Sequence, residues 1–229
     1  MSSDSKSSKL IMAGTSIGNT EDIPKRSLAH LRDSDMLIFE EDRPARSFLK
    51  EAGVHREYYK YSEHKNEHTL DEFKNSIKDK QTICYMSDQG MPVLADPGKD
   101  LLNIAYQSNC KIQVIPGPSS VTAAISACPF VDNSFYFKGF LPREAKSRQQ
   151  AIQKLTTLND PFIVLDAPYR LNALINDFRE IIPKRRCLLA VDISGPNENY
   201  YLSNFSRLGN TIKDLPKKTN FVLIIKGTS

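Results

Sequence analysis

Short apolar runs alternate with amphipathic stretches along most of this chain, and that alternation is the strongest constraint on its fold. Residues 9–13, 36–39, 81–86 and 111–115 read as short buried strands. Residues 24–32, 45–52, 71–77 and 99–107 carry apolar side chains at helical spacing, the last of them opening after the Asp96-Pro97-Gly98 breaker. Strands that are apolar throughout and separated by helices predict parallel α/β architecture, because helices then cover both sheet faces. A second half follows Cys128, with strands over 134–138, 162–165, 187–192 and 221–225 and helices over 143–158 and 171–182. The expected division is a polar tail over 1–8, an N-terminal α/β domain over 9–128 and a C-terminal α/β domain over 129–229.

The chain has 229 residues and 40% hydrophobic content, enough for two modest cores. Its longest apolar runs are far below the roughly 20 residues that cross a bilayer, and the Ser-rich start is no signal-peptide core, so a cytoplasmic protein is expected. Cys84, Cys110, Cys128 and Cys187 lie far apart with no C-x-x-C pair, which argues against a zinc knuckle or a disulfide scaffold and predicts free thiols. His64 and His68 stand four apart, but the order is not H-E-x-x-H and no third ligand is nominated, so no metal is expected. A net charge of +4 suits a phosphate-binding patch or an ordinary small-molecule enzyme equally.

Chemistry is expected in the loops, since open α/β sheets bind ligands outside the carboxyl ends of their strands. Gly14-Thr15-Ser16-Ile17-Gly18-Asn19 lacks both the Lys-Ser/Thr of a P-loop and the G-x-G-x-x-G spacing. Glu40-Glu41-Asp42-Arg43-Pro44-Ala45-Arg46 sets three carboxylates and two guanidiniums at a strand end. They favour a helix N-terminus through its dipole, or they serve a substrate, with Arg43 and Arg46 on phosphate and a carboxylate on a hydroxyl. Ser87-Asp88-Gln89-Gly90-Met91-Pro92 and then Asp96-Pro97-Gly98 form a rigid loop able to offer backbone groups to a polar ligand. Pro116-Gly117-Pro118-Ser119-Ser120 leads into a helix of small residues over 121–127, which its hydroxyls cap or beside which they line a pocket. In the second half, Tyr169 and Arg170 suit either nucleic acid or an internal interface, and Lys184, Arg185 and Arg186 read as a solvated helix end.

Taken in order, these loops resemble the tetrapyrrole methylase superfamily, and within it the bacterial 16S ribosomal RNA cytidine 2′-O-methyltransferases. Thr15-Ser16-Ile17-Gly18-Asn19 is similar to a P-T-P-I-G-N loop, Glu40-Glu41-Asp42-Arg43 to E-D-T-R, and residues 87–92 to S-D-A-G-T-P followed by D-P-G. Pro116 to Ser119 reproduces P-G-P-S, Gly139 to Pro142 reproduces G-F-L-P, and Asp166 to Arg170 is similar to E-x-P-H-R. Gln89 and Met91 stand where Ala and Thr are usual, Tyr169 where His is, and Asp166 where Glu is. The chain also resembles a short form without the C-terminal extension of the longer ribosomal enzymes.

The resemblance implies two α/β domains with S-adenosylmethionine in the cleft between them, and a homodimer. It implies cofactor contacts from Ser87, Asp88, Gly90, Met91, Pro92, Ser119, Ser120, Ala167 and Pro168. Acceptor contacts are implied from Arg43, Arg46, Tyr169 and Arg170, with Glu40, Glu41, Asp42 and Arg43 as the catalytic candidates. The implied partner is ribosomal RNA or the small ribosomal subunit, with no membrane. A methylase of a small tetrapyrrole-like acceptor, and a cofactor-binding protein without catalysis, are the alternatives.

Overall fold

The computed structural model describes residues 7–62, 66–216 and 218–228, and the chain divides into two compact units, residues 1–119 and 120–229. The first unit contains β1 (Lys9–Ala13), α1 (Lys25–Asp33), β2 (Met36–Phe39), α2 (Asp42–Ala52) and β3 (Tyr59–Lys60). It continues with α3 (Glu67–Lys78), β4 (Thr82–Met86), α4 (Lys99–Gln107) and β5 (Lys111–Ile115). The strands form one sheet of order β3-β2-β4-β1-β5, parallel at every pairing. Alternate side chains explain why these strands read as continuous apolar runs. Ile11, Leu37, Phe39, Cys84 and Met86 pack with α1 and α2 residues such as Leu31 and Phe48, whereas Leu10, Ile38, Ile83 and Tyr85 pack with Phe73, Ile77, Leu101 and Ala105 of α3 and α4.

Helix ends follow local chemistry. α2 stops where Gly53 adopts φ +69°, its N–H reaching Lys50 O (3.0 Å) while Val54 N reaches Leu49 O (3.0 Å), the paired bonds of a Schellman motif. The same pair closes α3, from Lys80 to Ile77 O and from Gln81 to Ser76 O, but here a lysine holds the left-handed position at φ +55°. Helices α2 and α3 begin three and four residues earlier than their apolar spacing predicts, because their first residues, Asp42 to Pro44 and Glu67 to Thr69, are polar or proline and add nothing to the apolar stripe. Ser8, at the end of the expected polar tail, is buried and accepts a hydrogen bond from Lys111 N (3.0 Å).

The second unit contains α5 (Ser120–Ser126), β6 (Tyr136–Phe140), α6 (Ala145–Leu155), β7 (Phe162–Leu165), α7 (Leu171–Ile181), β8 (Arg186–Val191), β9 (Asn199–Asn204), α8 (Phe205–Thr211) and β10 (Phe221–Ile225). Its sheet has the order β6-β7-β10-β8-β9, and only β6 and β7 run parallel, so the parallel expectation fails for this half. The cause is connectivity: β8 and β9 are joined by a turn over 192–198, which permits only antiparallel pairing. The units part between Ser119 and Ser120, where the sequence pattern put the division after Cys128, because α5 packs on β10.

The core of this unit is built on aromatic stacking. The Phe178 ring lies 4.8 Å from that of Phe205, nearly coplanar, and 6.3 Å from that of Phe162, and all three are fully buried. Beside it, Asp177 of α7 takes Arg148 Nε on one carboxylate oxygen and Gln149 Nε2 on the other (2.9 Å), which ties α6 to α7 with both buried charges paired. All four cysteines are buried free thiols, and no described helix is long and apolar enough to cross a membrane. Replacing Phe178 by Ala removes the middle ring of the stack, and urea unfolding should show a loss of about 3–5 kcal/mol.

Candidate active site

Because the first sheet is parallel, the loops after β1, β2, β4 and β5 all emerge at one edge. Ala13 is in register with both Met86 and Ile115, and Phe39 with Met86, so Gly14, Glu40, Ser87 and Pro116 start side by side. Backbone bonds then lock the loops together: Thr15 N donates to Gly90 O (2.8 Å), Gly90 N to Ser16 O (3.1 Å) and Gly14 N to Ile115 O (3.0 Å). Ser27 Oγ of α1 holds the Gly14 carbonyl at 2.7 Å. A side chain at Gly14 would meet Gly117 Cα and Met91 Sδ at 2.8 Å, so these loops touch backbone to backbone. Gly90 sits at φ +76°, and Val93 and Ala95 hold left-handed conformations despite their side chains, which stores about 1–3 kcal/mol of strain at each in the 87–98 loop.

The two departures from the usual loop pattern have structural consequences. Met91 takes the place of a hydroxyl, and its thioether accepts the Gly117 N–H at 3.2 Å, so the substituted side chain itself links the loops after β4 and β5. Gln89 is exposed and displaces nothing.

Two reciprocal bonds join the loops after β2 and β4. Glu41 N donates to Asp88 Oδ1 (3.1 Å) and Asp88 N donates to Glu40 Oε2 (3.4 Å). The result is a concentration of carboxylates: burial, then Asp88 and Asp96, push Glu40 up to about 7. Burial and Asp88 push Asp96 to about 6, against a downward pull from the Ser87 hydroxyl, and burial raises Asp88. No ion pair reaches Glu40, Glu41, Asp88 or Asp96 among the described residues.

Asp42 differs from its neighbours. It pairs with Lys60 (3.1 Å) and accepts from Tyr58 Oη (3.1 Å), which hold its carboxyl below the ordinary range, so its role is to brace the loop. Glu41 occupies the N-cap position of α2 without a side-chain cap bond, so capping does not account for it. Arg43 and Arg46 are exposed on the first turns of α2. Asp96 joins the group although its sequence context, a D-P-G turn, signals only a breaker.

Ser119 ends the first unit and Ser120 opens α5 in the second. Ala167 and Pro168 follow β7 in the second unit. There Arg170 pairs with Asp166 (3.0 Å) and donates to the carbonyls of Leu141 (3.3 Å) and Pro142 (2.6 Å). Its guanidinium is thus committed internally, which removes the sequence reason for placing it on phosphate, while Tyr169 is 75% exposed. His64 lies outside the described residues, and His68 sets its ring edge-on to Tyr59.

The model of the Tetrapyrrole (Corrin/Porphyrin) Methylases family matches residues 9–209, which include every loop of this site. The chain belongs to that family. This methylase is 30% identical to the ribosomal RNA small subunit methyltransferase I of Thermotoga maritima, over 86% of its own length and 89% of the relative's. It shares its fold with a diphthine synthase (TM-score 0.75, 12% identity, 97% of this chain and 91% of that one). The fold also matches a uroporphyrin-III-C-methyltransferase from Thermus thermophilus (TM-score 0.63, 18% identity, 95% and 94%). The chain is a methyltransferase.

The anionic cluster gives the methylase a pH-dependent stability of definite sign. A carboxyl whose proton affinity is higher folded than unfolded favours the folded state while protonated, so stability falls as pH rises from about 4.5 to about 7 for Glu40. In Glu40→Gln, the loss of unfolding free energy between about pH 5 and pH 8 should shrink by about 1 kcal/mol after screening of this half-exposed group, measured by urea titration.

Proposed function

We propose that this methylase transfers a methyl group from S-adenosylmethionine to the 2′-hydroxyl of a cytidine in 16S ribosomal RNA. The observation that carries the reading is Glu40: a half-buried carboxylate with no ion pair among the described residues, poised near neutrality, one strand end away from a locked glycine loop and just ahead of two exposed arginines. The Thermotoga maritima relative, named as a ribosomal RNA methyltransferase, supports RNA as the acceptor class.

The donor fits the chemistry of the site. S-adenosylmethionine carries a sulfonium and an ammonium, and the unpaired carboxylates of Glu40, Asp88 and Asp96 supply the complementary field. Ser87 to Pro92, with Thr15, Ser16 and Ser119, would hold it chiefly through backbone groups, which the close packing of Gly14, Gly90 and Gly117 keeps in place. When bound it supplies a methyl group activated on positive sulfur, and no metal is required.

What remains for the protein is alignment and proton removal. Glu40 accepts the proton of the ribose hydroxyl as the oxygen–carbon bond forms, and the carbon–sulfur bond breaks with its electron pair going to sulfur. Asp88 N–H orients the Glu40 carboxylate, while the Asp88 and Asp96 charges keep it basic enough to act. Arg43 and Arg46 grip the flanking phosphates, where a guanidinium binds in paired fashion. The active species is read as a cytoplasmic homodimer, for which sedimentation at micromolar concentration is the check.

Glu40→Gln should lower single-turnover methyl transfer to small ribosomal subunits by about 100-fold or more, a loss that saturating cofactor does not recover. The wild-type rate should rise with pH through about 7 as Glu40 ionises, and Asp96→Asn should move that midpoint to lower pH by removing a like charge. Arg43→Ala and Arg46→Ala should each weaken RNA binding and lower the salt slope by roughly one unit without changing cofactor affinity. Cofactor binding without transfer to any ribosomal RNA would refute the proposal.

A further inference from the structure

The opposite edge of the first sheet carries a feature that methyl transfer does not use. Where β1, β4 and β5 begin, Ser7, Ser8, Lys74, Lys78, Lys80 and Ser108 surround an open cavity of about 530 Å³, floored by Ile77. Among the described residues its polar lining is lysine and serine, with no carboxylate. Lys74 has a carboxylate neighbour, Asp71 at 3.0 Å, but both side chains are at least half exposed and the pair holds the ammonium only weakly. Lys78 and Lys80 are exposed and form no ion pair among the described residues. Asp79 stands between them in sequence, ends α3 through its backbone N–H and does not line the cavity.

Lys9 N reaches Gln81 O (2.9 Å) and Lys111 N reaches Ser8 O (3.0 Å), so the backbone of the three strand starts closes the cavity wall. The lysine side chain that singles the cavity out is Lys80, which occupies the left-handed position of the Schellman motif at φ +55°, where glycine is the unstrained residue. Charge is therefore kept here against backbone preference.

We propose that this lysine-lined cavity is a second binding site for the phosphate backbone of the RNA acceptor, at the amino edge of the sheet and away from the methyl-transfer edge. The inference rests on the RNA reading of the catalytic edge. Lys74 and Lys78 stand one helical turn apart on α3 and Lys80 follows just past its end, so the ammonium groups lie along one helix end and not at a single point. The two edges are separated by five-residue strands, roughly 17 Å. That span is only a few nucleotides of extended backbone, so one folded RNA element can reach both edges. Lysines read phosphate without regard to base, and this site would position the acceptor while the catalytic edge selects the nucleotide.

The test uses the full-length protein with small ribosomal subunits and with protein-free 16S ribosomal RNA, titrated over a range of salt. Lys78→Ala/Lys80→Gly should weaken RNA binding about tenfold at moderate salt and reduce the slope of log K against log salt by about 1.5 to 2 units, with cofactor affinity unchanged. Because Lys80→Gly relieves the left-handed strain, the single variant should melt no lower than wild type while still binding RNA more weakly, which a purely structural lysine would not do. Lys78→Arg should restore binding, and Lys154→Glu/Lys213→Glu on the second unit should leave it nearly unchanged. RNA affinity and salt slope unaltered in Lys78→Ala/Lys80→Gly, beside a wild type that binds and methylates, would overturn this site alone. An equal loss from Lys154→Glu/Lys213→Glu would overturn it in favour of overall charge. Loss of binding only to vesicles of acidic phospholipid would overturn it in favour of a membrane surface. A wild type that binds no RNA would overturn both this site and the acceptor proposed above.

Discussion

Everything at the candidate active site depends on the backbone closure between the loops after β1 and β4, in which Thr15 N donates to Gly90 O and Gly90 N returns a bond to Ser16 O. That exchange fixes the glycine loop where its conformation is unfavourable for most residues. It also brings the β5 loop against Gly14 closely enough that no side chain fits between them. Met91 reinforces the closure with a sulfur contact to Gly117 where related loops use a hydroxyl. A loop held this firmly keeps its polar backbone groups pre-arranged, so ligand binding carries little ordering cost.

The same rigidity allows the carboxylates to remain close. Glu40, Asp88 and Asp96 repel one another and are partly removed from water, which left to itself would drive the loops apart or leave the groups protonated. The reciprocal bonds between the Glu40-Glu41 and Asp88 segments hold them in place, and the outcome at Glu40 is a carboxyl with proton affinity near neutrality. Asp42, one residue further on, meets Lys60 and Tyr58 and becomes a brace. Three consecutive acidic residues thus acquire three different environments from their neighbours in space.

Charge is distributed between the two edges of the parallel sheet with opposite sign. The carboxyl edge gathers Glu40, Asp88 and Asp96, which form no ion pair among the described residues, and the cavity at the amino edge is lined by Lys74, Lys78 and Lys80. A net charge of +4 conceals this separation, because the sum over the chain carries no information about where each sign resides. The second unit shows no comparable exposed separation at its best-packed region. Its buried pair Arg148–Asp177 and the Phe162, Phe178 and Phe205 rings hold α6, α7 and α8 on the sheet.

The sequence by itself determined the first sheet almost residue for residue: β1, β2 and β4 are buried over nearly their whole length and therefore read as apolar runs, while β5, at the sheet edge, keeps Ile112, Val114 and Ile115 between polar residues. It also marked the loops that the parallel sheet gathers at one edge, since glycine, proline and acidic residues cluster in them where the backbone turns at a strand end. It did not disclose β9, an edge strand of polar and aromatic residues with one neighbour to satisfy, nor α8, whose seven residues include Gly209, Asn210 and Thr211. Gly139 at φ +67° shifts the register of β6 against β7, and the expected strand is displaced by two residues. The antiparallel course of the second sheet, the transfer of α5 to the second unit, the recruitment of Asp96 to the carboxylates and the internal commitment of Arg170 were decided by tertiary structure alone. The reason is common to all four: each depends on which segments lie side by side in space, and hydrophobic periodicity records the face a residue buries but not the neighbour it meets.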